Sequence, residues 1–202
     1  MQTADEIVFV VDDDASVREA LSSLVRSVGF RVQTFGSAEA FLRHRRSDVL
    51  ACLVLDVGLP GSSGLELQSE LASLGEQIPI VFITAHGDIP MSVKAIKAGA
   101  VEFLPKPFHD EDLLNAIHHA LECTRVAAQD ASQRTALRNR YSALSVRERE
   151  VMAHIVRGSL NKQTAAELRI AEITVKVHRR HIMQKMGVRC LADLVRIAEK
   201  LA

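Results

Sequence analysis

The sequence predicts a doubly wound α/β domain on a five-stranded parallel sheet, followed by a small all-α domain. Three observations carry that prediction. Val- and Ile-rich runs at 7–11, 52–55 and 80–83 stop at polar or glycine-bearing residues, as strands buried on both faces do. Segments of helix length separate these runs, and such alternation implies a parallel sheet with crossover helices. Beyond residue 141 the strand-like runs give way to short helix-permissive stretches broken at Gly158 and Gly187.

Residues 16–28 set Val17, Ala20, Leu21, Leu24, Val25 and Val28 on one helical face, and Gly29 follows as a C-terminal cap would. Residues 31–35 read as the second strand, and a helix from 37 to about 46 follows. Helices are expected over 63–74 and 90–97, the second closed by Gly99, and a fifth strand over 101–104. Residues 110–140 contain neither Pro nor Gly and turn Ala-, Gln- and Arg-rich after Glu122, so the last helix of the first domain should run on into a helical linker. The expected division is therefore 1–122, linker 123–140, and 141–202. A coiled-coil stalk stays open here, since Leu114, Ile117 and Leu121 extend an apolar stripe, although heptads are not sustained.

The 202 residues suffice for two small domains, and no apolar run reaches the roughly 20 residues a membrane span needs. Residues 1–6 are polar and acidic, unlike a secretory signal, so the cytoplasm is the expected compartment. Cys52, Cys123 and Cys190 are too few and too scattered for a disulfide framework or a zinc site. The formal net charge of zero conceals a division: residues 1–122 carry 9 Lys+Arg against 18 Asp+Glu, and residues 123–202 carry 16 against 7. An acidic, cation-binding or regulatory half is thus joined to a half suited to a polyanion.

Asp12 and Asp13, Asp56, Thr84 and Lys106 all fall at or just past the end of an expected strand, where open parallel sheets bind ligands. If the strands before Asp12 and Asp56 are neighbours, three carboxylates converge and need a cation, and oxygen-only ligands suit Mg²⁺. Pro107 disfavours helix at Lys106, whose ammonium can pair with Asp56 or with a phosphoryl oxygen placed on it. The Thr84 hydroxyl can bind another such oxygen. Together these groups form the electrostatic clamp that phosphoryl transfer to a carboxylate requires. Taken singly each has a plainer reading, and Asp14 reads as the cap of the helix after it.

In the basic half, Ser145 and Glu148 form a capping-box signature before an amphipathic helix. Helices from about 164 to 168 and 174 to 186 lie a few residues apart, in the manner of a helix-turn-helix. On the second of these, Lys176, Arg179, Arg180 and Lys185 supply charge while Val175, Ile182 and Met186 face a core. Such cations can neutralise nucleic-acid phosphates or read guanine in the major groove. His178 and His181 have no Cys or carboxylate at ligand spacing and read as packing or surface residues.

Val10-Val11-Asp12-Asp13-Asp14, Leu55-Asp56-Val57-Gly58-Leu59-Pro60-Gly61, Ile83-Thr84-Ala85-His86-Gly87-Asp88 and Phe103-Leu104-Pro105-Lys106-Pro107-Phe108 resemble the motifs of receiver domains over about residues 6–122. The resemblance implies a flavodoxin- or CheY-like fold in which Asp56 takes a phosphoryl group from a sensor histidine kinase. Asp12, Asp13, Asp56 and the Gly58 carbonyl would hold Mg²⁺, Lys106 would bridge to the phosphoryl group, and Thr84 with Phe103 would form a switch pair. Gly58 departs from the larger side chain usual there, which bears on phosphoryl lifetime.

Leu144-Ser145-x-Arg147-Glu148-x-Glu150-Val151, Gly158, Asn161-Lys162, Ile173-Thr174-Val175-Lys176-Val177-His178 and Lys185-Met186-x-Val188 resemble the LuxR-type helix-turn-helix of FixJ/NarL response regulators. By position, Lys176, Val177 and Arg180 would face bases of double-stranded DNA, and Asn161, Lys162, Thr174 and Arg179 would touch its phosphates. Thr164 stands where Ile is usual, and Ala171 where a Ser or Thr cap is usual. The join of the 86–90 motif with this output domain resembles the FixJ subfamily: a phosphorylation-gated transcription factor, dimeric when phosphorylated, with RNA polymerase as a partner. In the inactive state the acidic surface would cover the basic recognition face. Two rivals stay open: an Mg²⁺-dependent phosphatase with Asp12 as nucleophile and Asp14 two residues on, and a regulator that works without phosphate.

Overall fold

The computed structural model describes residues 6–44, 50–85 and 87–201. Strands β1 (Glu6–Val11), β2 (Arg31–Phe35), β3 (Leu50–Asp56), β4 (Ile80–Thr84) and β5 (Glu102–Pro105) pair in parallel in the order β2-β1-β3-β4-β5. Successive side chains of a strand point to opposite faces, so a sheet covered on both sides needs apolar residues at nearly every position. Ile7, Phe9, Val11, Leu53, Leu55 and Phe82 accordingly pack on one face against Phe41, Leu67 and Leu71. Val8, Val10, Cys52, Val54, Val81 and Ile83 pack on the other, against Leu21, Val25, Leu113, Ile117 and Leu121.

Helix α1 (Ala15–Ser27) is capped by Asp14, whose Oδ1 accepts from the Ser16 amide at 2.8 Å. α2 (Ala38–Arg43) starts on Ser37 and stops before His44, which has extended backbone; the expected continuation through Arg45 and Arg46 lies outside the described residues, as does His86. α3 (Gly64–Ser73) opens on a Ser63–Glu66 capping box, and α4 (Ile89–Lys97) on Asp88, which accepts from the Met91 amide at 2.7 Å. Each cap satisfies an otherwise orphaned helix amide.

α5 (Asp110–Ser142) is one helix of 33 residues. The chain divides into two compact units, Met1–Ala128 and Gln129–Ala202. In the first, α5 is held beyond Glu122 by Thr124, whose hydroxyl donates to the Ala51 carbonyl at 2.9 Å, and by Arg125, which pairs with buried Glu6 at 2.5 Å.

In the second unit α6 (Val146–Val156), α7 (Asn161–Leu168), α8 (Glu172–Met186) and α9 (Leu191–Leu201) enclose Leu144, Val151, Met152, Ile155, Val175, Ile182, Met186 and Leu194. α7 begins three residues before the expected 164, because the Gln163 side chain accepts from the Leu160 amide at 2.8 Å and starts the helix without a Ser, Thr, Asp or Asn signal. α8 begins at Glu172 rather than 174, with Ala171 providing no side-chain cap. Among the described residues no helix is long and apolar enough to cross a membrane.

Candidate functional site

The register sets the site. Val11 of β1 lies opposite Leu55 of β3, so Asp12 and Asp56 leave neighbouring strands at the same level. Chain connectivity reverses direction across this pair of strands, which is where open sheets leave a crevice. Asp12 and Asp56 are buried, Asp13 is exposed, and one carboxylate oxygen from each of the three can lie within 4.8 Å of the others. β4 ends on buried Thr84, whose register partner is Pro105. Lys106 follows, its amide donating to the Thr84 carbonyl at 2.7 Å. That anchor directs the Lys106 ammonium onto Asp12 Oδ2 at 2.8 Å and Asp56 Oδ1 at 3.2 Å.

Burial raises the Asp56 pKa above the ordinary carboxylate value, and the charge of Asp12 adds to that, against the opposing pull of Lys106 and the Gly58 amide. Burial works against the charge on Lys106, yet its bonds to Asp12 and Asp56 prevail and raise its pKa. The Lys106 ammonium thus pairs with two carboxylates of a cluster of three, an arrangement with room for further positive charge. The donor set is all oxygen, as a hard divalent ion such as Mg²⁺ prefers.

Glycines give this site its close approaches. The Gly58 amide donates to Asp56 Oδ2 at 3.1 Å, and a Cβ at 58 would stand 3.3 Å from that oxygen, so glycine keeps the approach open. A Cβ on Gly64 would meet the Asp56 carbonyl at 2.4 Å. One on Gly87 would meet the Phe103 ring at 2.8 Å and the Thr84 methyl at 3.0 Å, so residue 87 lies against both members of the expected switch pair. Phe103 itself is half-buried, its ring centroid 6.1 Å from that of Phe82.

In the second unit α8 divides into two faces. Val175, Ile182 and Met186 are buried, whereas Ile173, Lys176, Val177 and Arg180 are exposed. Lys176 pairs with Glu172 at 3.3 Å, one turn away. Arg179 donates to Asn161 Oδ1 at 3.0 Å, joining two residues expected to touch phosphates separately. Lys162 is exposed in the first turn of α7, and Thr174 is half-buried in the first turn of α8. Buried Glu148 accepts from Lys185 at 2.7 Å and from the Ser145 amide at 2.8 Å, tying the start of α6 to the end of α8. The Lys185 bond, foremost, and the Ser145 amide hold its carboxyl down at about 2. Thr164, at the position noted for its departure, is fully buried and its hydroxyl has no hydrogen-bond partner among the described residues.

Residues 8–118 match the response regulator receiver domain family, and residues 142–198 match the bacterial regulatory proteins of the luxR family. The chain is a response regulator. It is 54% identical over 201 residues to the response regulator protein TmoT of Ectopseudomonas mendocina, covering 100% of this chain and 91% of that protein. The solved structure of the response regulator StyR aligns with a TM-score of 0.88 at 55% identity, over 98% of this chain and all of that one. Full-length FixJ from B. japonicum aligns with a TM-score of 0.61 at 38% identity, over 98% of each chain. The response regulator is a transcriptional regulator rather than an enzyme: its receiver implies a sensor kinase and its LuxR-type domain implies DNA.

The fold of the response regulator brings Asp12, Asp13, Asp56 and Lys106 together, and sets Thr84 and Phe103 beside them around Gly87. Sequence reasoning passed over Arg18, whose guanidinium donates to the carbonyls of Asp12 at 2.7 Å and Asp13 at 2.8 Å. It also read Glu148 only as a cap. Neither role has a local signal, because a main-chain contact can be made by many side chains and Lys185 lies far from Glu148 in sequence.

Proposed function

We propose that Asp56 is the phosphoacceptor and that its phosphorylation by a sensor histidine kinase controls DNA binding by residues 141–202. A carboxylate oxygen of Asp56 attacks the phosphorus of a phosphohistidine, the new O–P bond forms as the N–P bond breaks, and the imidazole departs. Asp12, Asp13, Asp56 and the Gly58 carbonyl would hold Mg²⁺, which when bound offsets the negative charge of carboxylates and phosphoryl oxygens. Lys106 pairs with a phosphoryl oxygen, and Thr84 with Phe103 relays the change. The observation that carries this reading is the Lys106 ammonium seated between Asp12 and Asp56 beside three converging carboxylates.

For the output, Lys176, Val177 and Arg180 face bases while Asn161, Lys162, Thr174 and Arg179 serve the phosphates. We assign residues 1–122 to the receiver and 123–140 to a helical linker. Ile89, Val93 and Ile96 form an exposed apolar stripe on α4, which supports a homodimer of phosphorylated chains. RNA polymerase is the partner on DNA, and the cytoplasm is the place of action.

Incubation with acetyl phosphate and Mg²⁺, followed by intact mass measurement, should show one phosphoryl group on the wild type and none on Asp56→Asn. Undiminished labelling of Asp56→Asn would remove the assignment. An unlabelled wild type would favour the regulator that works without phosphate.

A further inference from the structure

The first turn of a helix is the wrong place for a cation, since the macrodipole is positive there and repels it. Arg18 nevertheless is the fourth residue of α1, in its first turn, and follows the acids Asp12, Asp13 and Asp14 after Ala15, Ser16 and Val17. Its guanidinium does not pair with their carboxylates. One nitrogen, Nη1, donates to the main-chain carbonyls of both Asp12 and Asp13, at 2.7 and 2.8 Å. On the other side lies Gly36, just after β2, where a Cβ would touch the guanidinium at 3.6–3.9 Å, an ordinary contact distance. The group therefore sits between the β1–α1 loop and the β2–α2 turn, and the Asp12 amide is bonded to the Phe35 carbonyl at 3.2 Å on the same edge.

We infer that Arg18 is a positioning residue for the divalent-cation site, an inference that rests on the Mg²⁺ reading above. Two successive carbonyls drawn to one nitrogen restrict the peptide planes on both sides of Asp13. With those carbonyls engaged, residues 12 and 13 meet the cluster through their carboxylates. Asp12 is further fixed by the Asp14 amide on Oδ1 at 2.9 Å and by Lys106 on Oδ2. Exposed Asp13 has Arg18 as the anchor of its backbone. Outer groups that orient ligands typically change metal affinity about 10–100-fold when removed.

The sign of the effect separates positioning from charge. Arg18 is a cation beside a cation site, so electrostatics alone predicts that deleting it tightens Mg²⁺ binding. Positioning predicts the reverse. Calorimetric titration of Mg²⁺ into the full-length wild type, Asp13→Asn, Arg18→Met and Arg18→Lys tests this, with far-UV circular dichroism verifying the fold. Arg18→Met should bind about tenfold more weakly. Arg18→Lys keeps the charge but loses the planar fork, and should also bind more weakly than the wild type. Equal or tighter binding by folded Arg18→Met overturns the inference; should that variant not fold, binding by Arg18→Lys equal to the wild type overturns it instead. A wild type that binds no Mg²⁺, or an Asp13→Asn that binds unchanged, overturns the metal site and this inference together. A metal site lost in Asp13→Asn and intact in Arg18→Met overturns this inference alone.

Discussion

At the scale of single residues, Asp56 is held at an energetic disadvantage. Burial raises its pKa, and Asp12 adds repulsion that Lys106 only partly offsets, so its carboxyl holds a proton more tightly folded than unfolded. Stability that Asp56 contributes at low pH is therefore lost as pH rises from the ordinary 3.8 through the raised value. Asp56→Asn removes the charge and should melt at a higher temperature than the wild type at pH 7 in metal-free buffer. The gap should narrow toward acid pH, followed by thermal unfolding, and a variant that melts lower at pH 7 would contradict the account. Mg²⁺ should work the other way, stabilising the wild type by about 1.4 kcal/mol at ten times its dissociation constant. The acids and Lys106 were legible in the sequence because each stands at a strand end, where side chains have few other tasks. Arg18 was not, since its role depends on where two carbonyls point. Nor was Gly87 as a contact of Thr84 and Phe103, which only the folded loop creates.

Among elements, the strands were legible because burial on both faces leaves them almost wholly apolar, and α1, α3, α4 and α6 because polar caps announce their starts. α7 and α8 began earlier than expected, for the corresponding reason that Leu160 and Ala171 supply no side-chain cap. The second unit compensates at the other end of α8, where Glu148 joins Lys185, and Arg140 donates to the Met186 carbonyl at 3.2 Å. Glu148→Gln keeps the cap bond but loses the charge, which should cost about 1 kcal/mol once screening at half-exposed Lys185 is allowed for. For a unit of this size that is a fall of roughly 4–8 °C in melting temperature. With the carboxyl at about 2 folded against an ordinary 4.5, its contribution is complete above about 4.5 and is lost as pH falls toward 2. The wild type and Glu148→Gln should therefore converge over that window in acid unfolding followed by circular dichroism. A constant gap would place the cost of the substitution in packing rather than charge.

For the whole molecule, the decisive quantity is the separation of charge. Residues 129–202 carry 15 Lys+Arg against 7 Asp+Glu, while residues 1–128 carry 10 against 18. DNA attracts the first and repels the second, and each phosphate neutralised contributes about −0.9 to the slope of log affinity against log salt. An acidic half on the same chain should lower the affinity of the basic half for duplex DNA, whether by raising the negative potential near the phosphates or by occupying the cations that would meet them. Residues 129–202 have a core of their own around Val151, Val175 and Ile182 and can be compared with the full chain. The isolated unit should bind a mixed-sequence duplex more tightly than the unphosphorylated chain at low salt, by fluorescence anisotropy. The difference should shrink as salt shortens the Debye length from about 10 Å at 0.1 M toward 3 Å at 1 M. Phosphorylation adds negative charge to the acidic half, so simple long-range repulsion would make the phosphorylated chain bind more weakly still. Release of covered cations would make it bind more tightly, and the direction of that change decides between repulsion and release. Equal affinity of unit and unphosphorylated chain at every salt concentration would contradict an electrostatic effect of the acidic half on DNA binding.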